Sequence, residues 1–168
     1  SVLIFLGFGS ILTLVLQSSS ATMAITLIML SMGWIPFPMA CAMVLGENIG
    51  TTITANIAAS VGNSSAKRAA LSHTIFNVFG VIWALILFRP FLSLVGWITS
   101  SLFGIPNPAA DGFAVNDPTG PESTSALYGL SMLHTLFNVI NTMILVWFTG
   151  LIEKIVCKVI KQPVNKED

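Results

Sequence analysis

Residues 12–26 read Leu-Thr-Leu-Val-Leu-Gln-Ser-Ser-Ser-Ala-Thr-Met-Ala-Ile-Thr. The polar run Gln17-Ser18-Ser19-Ser20 interrupts an apolar stretch that covers residues 1–32. As one helix that stretch would be ~48 Å long at about 1.5 Å per residue. That overshoots the hydrocarbon core of a bilayer, yet two full spans would not fit. Two half-helices meeting at a polar tip do fit. Lipid cannot satisfy bare backbone groups, so the tip must face protein or a water-filled cavity.

A second interrupted segment follows. Gly33-Trp34-Ile35-Pro36-Phe37-Pro38 reads as a turn near an interface. Met39–Leu45 is apolar, Gly46-Glu47-Asn48-Ile49-Gly50-Thr51-Thr52 is polar and bounded by glycine, and Ile53–Val61 is mostly apolar again. This pattern predicts a helix broken at mid-membrane, a part from which secondary transporters build midplane sites. Each feature also has a plainer reading. A serine triplet can glue helices together, and Gly46-x-x-x-Gly50 is a small-xxx-small contact motif. Glu47 tilts the balance, because a carboxylate near the bilayer centre costs roughly 2.5–3.5 kcal/mol and such groups usually mark a pathway. The plainer reading of Glu47 is a neutral, protonated side chain held by a neighbouring helix.

Composition supports the membrane reading. Of 168 residues, 8% are charged and 54% hydrophobic, with seven bases balancing seven acids. A soluble domain averages about 25% charged residues. These values exclude an ordinary soluble domain, a disordered tail and a nucleic-acid partner. Cys41 and Cys157 are too few for a disulfide framework. The chain opens on Ser1 directly into an apolar run, which suggests a piece of a longer protein.

Charge placement adds an orientation. Ala69–Phe88 and Ala126–Phe148 are uncharged apolar runs of spanning length. Lys67 and Arg68 precede the first, while Lys154, Lys158, Lys161 and Lys166 follow the second. The positive-inside rule puts both groups, and the C-terminus, in the cytoplasm. The loop 104–125, with Asp111, Asp117, Glu122 and four prolines, then lies outside. Phe91–Phe103 is too short to span easily and reads as an interfacial or re-entrant helix. Asn63-Ser64-Ser65 matches a glycosylation acceptor but falls on the predicted inner side, so it reads as a helix-linking turn.

The expected organisation has five parts. Residues 1–62 hold the re-entrant hairpin and broken helix, and 63–103 a span plus a short interfacial helix. The outer loop is 104–125, a second span 126–152, and a cytoplasmic tail 153–168. An internal echo ties the spans together: His73-Thr-Ile-Phe-Asn77-Val returns as His134-Thr-Leu-Phe-Asn138-Val. His and Asn share a helix face in each copy and could bond to one another. Scaffolding is the favoured role for both histidines.

Together these motifs resemble the type II sodium-dependent phosphate cotransporter family. The resemblance rests on Gln17-Ser18-Ser19-Ser20-Ala21-Thr22, Leu45-Gly46-Glu47-Asn48-Ile49-Gly50-Thr51-Thr52-Ile53-Thr54-Ala55, Ala66-Lys67-Arg68-Ala69-Ala70 and His73-Thr74-Ile75-Phe76-Asn77. It implies an all-α integral membrane fold in which this chain is one half of an inverted-repeat transporter, similar to the second repeat of a bacterial member. The other half would be a missing N-terminal repeat or a second copy of the chain. The lysine-rich end is similar to the exit toward a cytoplasmic regulatory domain. The implied function is sodium-coupled uptake of inorganic phosphate across the plasma membrane, the bacterial inner membrane, with no enzymatic step and no cofactor beyond the coupling ion.

The residues can be matched to that task. Backbone N–H groups and hydroxyls of Ser18, Ser19 and Ser20 offer phosphate donors at a positive helix end. Gln17, Glu47, Asn48, Thr51 and Thr52 offer hard oxygens to sodium, with the unwound carbonyls of 46–50 beside them. Thr22, Asn56, His73 and Asn77 would support these groups from behind. Glu47 would repel phosphate, so it is expected to point away from the anion, toward a cation or a donor on a neighbouring helix. Two other readings compete: a non-transporting or channel-like scaffold, including a homodimer of opposed repeats, and an intramembrane serine hydrolase using a tip serine with His73 or His134. The spans hold no Asp and no Gly-x-Ser-x-Gly, which weakens the hydrolase.

Overall fold

The computed structural model describes residues 1–163, and among these it contains helices, turns and loops but no strand. The apolar stretch 1–32 folds as two short helices, α1 (Val2–Leu16) and α2 (Ser19–Ser31), with Gln17 and Ser18 between them. At about 1.5 Å per residue they are ~22 and ~20 Å long, too short to cross a ~30 Å hydrocarbon core. The turn is tight because Gln17 takes a left-handed conformation, φ 51° and ψ 30°. It is the only non-glycine residue with positive φ among the described residues. Thr13 Oγ1 donates to Thr22 Oγ1 at 2.9 Å and closes the hairpin just behind the tip.

The hairpin lies against α3 (Phe37–Ala59), the hub of the fold, whose residues 40–47 are all buried. Helix α1 runs parallel to it. Val2 lies beside Pro38 and Met39, Gly9 against Met43, Leu6 and Ser10 against Gly46, and Thr13 against Gly50. Glycine makes this possible. A Cβ at Gly9 would overlap the Met43 carbonyl, one at Gly46 the Leu6 carbonyl, and one at Gly50 the Ser10 carbonyl and Thr13 side chain. Ser10 Oγ donates across the interface to Gly46 O at 2.8 Å.

Helix α3 is continuous, which corrects the expectation of a break at 46–52. Its two glycines serve helix packing rather than unwinding. Its polar side chains satisfy themselves on their own helix: Asn48 Nδ2 donates to Val44 O (3.2 Å), Thr51 Oγ1 to Glu47 O (2.9 Å) and Thr52 Oγ1 to Ile49 O (2.8 Å). Such back-bonding lets a polar run stay helical in an apolar setting. The carbonyls of 46–50 are therefore not free for a cation in the way the sequence suggested.

Beyond α3 the chain builds α4 (Ser64–Ile86), α5 (Phe88–Phe103), α6 (Pro121–Leu145), a 3-10 turn over Val146–Phe148 and α7 (Thr149–Val159). Asn63 caps α4, its Oδ1 accepting from Ala66 N at 2.9 Å, so the possible glycosylation triplet is a helix start. Helix α4 and the run Pro121–Val159 are long and apolar enough to cross a membrane. In α5, Phe91, Leu92 and Val95 are buried while Leu94, Trp97 and Leu102 are exposed. Residues 149–159 form a helix of their own, so the expected tail begins as helix over 153–159; Lys166 lies outside the described residues.

Two cross-links mark the opposite ends of the fold. Arg68 Nε donates to Ile160 O at 2.9 Å, bringing the start of α4 and the end of α7 together. At the opposite end Ser123 Oγ donates to Ser31 O at 3.1 Å, and Gly33 packs on the backbone of Val115. Both open ends of the α1–α2 hairpin lie at this second end.

The packing makes a paired prediction. Gly46→Ala should destabilise by about 1–3 kcal/mol, because backbone must shift to admit the methyl group. Gly7→Ala, whose Cβ meets nothing, should be neutral or stabilising by about 0.5–1 kcal/mol. Thermal unfolding in detergent would separate them, and equal effects would contradict the glycine contact.

Candidate functional site

The hairpin tip exposes the start of α2. Ser18 sits in extended conformation as N-cap, its Oγ accepting from Ala21 N at 3.2 Å. The first backbone bond of the helix runs from Thr22 N to Ser18 O at 3.2 Å. The N–H groups of Ser19 and Ser20 precede that bond and have no intrahelical acceptor. Ser18 and Ser19 are half-buried and Ser20 is exposed. The three serines therefore gather hydroxyls and two unclaimed N–H groups at the positive end of one helix.

Beside the tip lies a cavity of about 480 Å³, walled by Gln17 from the hairpin and by Thr51, Thr54 and Ala55 from α3. Glu47 stands one turn before Thr51 on the same face of α3. It is 3% exposed, and its Oε2 has no hydrogen-bond partner among the described residues. Among the described residues no neighbouring helix supplies Glu47 Oε2 with the donor that the sequence allowed for. Asn48 and Thr52 lie about 100° and 140° round the helix from Glu47. The five expected cation ligands thus split: Gln17 and Thr51 line the tip cavity, Glu47 lies one turn back on the Thr51 side of α3 without lining it, and Asn48 and Thr52 point elsewhere.

The expected supporting residues also divide. Thr22 holds the tip, donating to Ser18 O at 3.2 Å while accepting from Thr13. Asn56 ties α3 to α4, its Nδ2 donating to Thr74 Oγ1 at 2.6 Å. His73 is exposed and faces a cavity shared with α7, away from the tip. Asn77 is buried, but it donates to the His73 backbone carbonyl (3.0 Å) and not to the ring; Asn138 does the same to His134 O (2.8 Å). The two copies of the echo are thus alike in self-satisfaction. Among the described residues no hydrogen bond joins a tip serine to either histidine.

One cross-helix residue escaped the sequence reading. Asn141 of α6 is fully buried; its Nδ2 donates to Phe76 O at 2.9 Å and its Oδ1 accepts from Trp83 Nε1 at 3.0 Å. Trp83 also stacks on Phe137, with ring centroids 5.8 Å apart. The usable signal was Trp83 itself, since a buried indole N–H needs an acceptor.

A family model described as Na+/Pi-cotransporter matches residues 2–105, which hold the whole tip and the α3 face opposite it. The chain belongs to this family. Among relatives, it is 34% identical to the uncharacterized protein YqeW of Bacillus subtilis (strain 168) over 148 residues, 88% of this chain and 40% of that protein. It is 40% identical over 83 residues to sodium-dependent phosphate transport protein 2C of Homo sapiens, 46% of this chain and 14% of that protein. It is 38% identical over 78 residues to sodium-dependent phosphate transport protein 2A of Ovis aries, 44% of this chain and 12% of that protein. The chain therefore spans well under half the length of these relatives. No solved structure matches it.

For this family member, the α4–α6 clamp makes a prediction. Asn141→Ala should cost about 2–3 kcal/mol, leaving the Phe76 carbonyl and the Trp83 indole without partners. Unfolding in detergent would measure it, and a loss below about 0.5 kcal/mol would show that the pair does not hold the two helices.

Proposed function

We propose that this chain forms one repeat of the transport core for sodium-coupled uptake of inorganic phosphate across a plasma membrane. The observation that carries the reading is the hairpin tip: a left-handed Gln17 followed by a serine-capped helix start, set beside Thr51 and Thr54 of a membrane-length helix. Both hairpin helices stop short of spanning, so the tip lies inside the bilayer, where α3 and the cavity provide the polar surroundings it needs.

Phosphate meets Ser18, Ser19 and Ser20. Its charge is offset by the positive end of α2 and by the two unclaimed N–H groups, with hydroxyls completing the donor set. Sodium sits between Gln17, Thr51 and Glu47. The carboxylate binds the cation and stays off the anion, so sodium screens Glu47 from phosphate. Each ion then raises the affinity of the other by the same factor, which is the linkage cotransport requires. Asn48 and Thr52 serve the packing of α3 in this scheme.

The Lys67–Arg68 end and α7 face the cytoplasm, and the 104–120 loop faces outward. The hairpin then enters from outside and points its tip inward. An inverted partner, supplied by the rest of a longer chain or by a second copy, brings a matching tip from the other side and completes the site.

The test uses full-length transporter in proteoliposomes under a sodium gradient. Ser19→Ala should raise the KM for phosphate about tenfold, the value of one hydrogen bond to a charged ligand. Gln17→Gly keeps the turn, since glycine adopts the left-handed conformation freely, and should raise the half-saturating sodium concentration about fivefold. Wild-type kinetics in both variants would remove the tip as the site. Phosphate uptake unchanged without sodium would remove the coupling.

A further inference from the structure

Helix α7 lies across the foot of α4 and does not continue the line of α6. Asn141 bonds Phe76 O, and nineteen residues later Ile160 O accepts from Arg68. A straight helix would travel ~28 Å between those points, yet Phe76 and Arg68 are only ~12 Å apart along α4. The 3-10 turn Val146–Phe148 takes up the change of direction. The Arg68 guanidinium then holds the C-terminal end of α7, where a cation is favoured.

Fixed in this way, α7 sorts its residues by side. Val156 is buried and, with Ile152, walls a cavity of about 430 Å³ against His73 and Phe76 of α4; Ser72, Thr149 and Glu153 also line it, but its surface is mainly apolar. Leu151, Ile155 and Val159 follow at four-residue spacing and are 55%, 39% and 65% exposed. Lys154 and Lys158 form the next edge, with Lys161 just beyond the helix, and all three are exposed. Trp147 and Phe148 stand exposed at the bend where the helix begins. The same end of the molecule carries Lys67 and Arg68; Glu153 is the one acid on α7.

We infer that α7 is an in-plane anchor that binds anionic phospholipid, its lysine edge on the headgroups and its Leu151–Ile155–Val159 stripe among the upper acyl carbons. A short basic amphipathic helix with aromatic residues at one end has the form of an interfacial segment. Charge complementarity selects the occupant, since Lys154 and Lys158 on one edge, with Lys161 just past the helix, match anionic headgroups while Glu153 lines the cavity against α4. The apolar cavity between α4 and α7 is open beside that edge and can receive the acyl chain of the bound lipid. The inference rests on the bilayer placement of the chain and not on what it transports.

The chain, purified in a non-ionic detergent with an equimolar mixture of phosphatidylglycerol and phosphatidylcholine, can be examined by native mass spectrometry for retained lipid. Wild-type protein should retain phosphatidylglycerol over phosphatidylcholine by about tenfold or more. Lys154→Gln/Lys158→Gln/Lys161→Gln should bring that ratio to within about twofold of unity, and the matching triple Arg variant should keep it. No enrichment in wild type, or enrichment kept by the Gln variant, would overturn the proposal. Loss in the Arg variant equal to that in the Gln variant would also overturn it, because charge would then not be the determinant. A phosphate-uptake defect plays no part in this readout, so the two readings fail separately.

Discussion

The close approach of α1 to α3 is the contact from which the rest of the structure follows. Gly9, Gly46 and Gly50 remove the side chains that would hold the helices apart, and Ser10 spends its hydroxyl on the Gly46 carbonyl across the gap. In an apolar surrounding there is no hydrophobic drive between helices, so such close packing and its hydrogen bond must supply the association. With α1 fixed against α3, the hairpin has a set depth. Its tip falls beside Thr51 and Thr54, one turn past Glu47.

Depth in turn decides chemistry. A polar turn at a helix end is unremarkable in water, where solvent meets the free N–H groups. The same turn set beside two threonines, with a buried carboxylate one helical turn further back on α3, gathers donors and acceptors along one face. Glu47, 3% exposed with an oxygen that nothing in the described residues meets, is tolerable there only if a proton or a cation attends it. The strain at Gln17 points the same way, since a non-glycine residue held in the left-handed region costs about 1–2 kcal/mol and persists where surrounding structure fixes it.

Much of this was legible in the residues. The half-length of the apolar runs on either side of Gln17–Ser20 dictated a hairpin, because neither a single helix nor two spans fits 32 residues. Charge placement grouped the start of α4 with the lysine-rich end, and the Arg68–Ile160 bond brings those two segments together. The error at 46–52 came from reading glycine and polar density as a break. Gly46 and Gly50 are one turn apart on one face, which is the signature of packing, and Asn48, Thr51 and Thr52 can bond their own helix. Both readings use the same residues, and only the partner helix decides between them. Asn141 was missed for a related reason: its value lies in reaching Phe76 and Trp83 on another helix, 65 and 58 positions away.

If phosphate and sodium meet at the hairpin tip, both should shield it from a reagent in water, and site-directed labelling measures that. Within this chain Cys41 is buried and Cys157 half-buried, so a background with Cys157→Ser and every cysteine of the remaining transporter replaced by serine leaves the tip open to a single reporter. Leu16→Cys places that reporter next to Gln17 at a half-exposed position, leaving every proposed ligand in place. In the full-length transporter, sodium and phosphate together should slow its reaction with a water-soluble thiol reagent about fivefold or more, with either ion alone much less effective. A labelling rate indifferent to both ions would place the substrate elsewhere in the molecule and contradict the account.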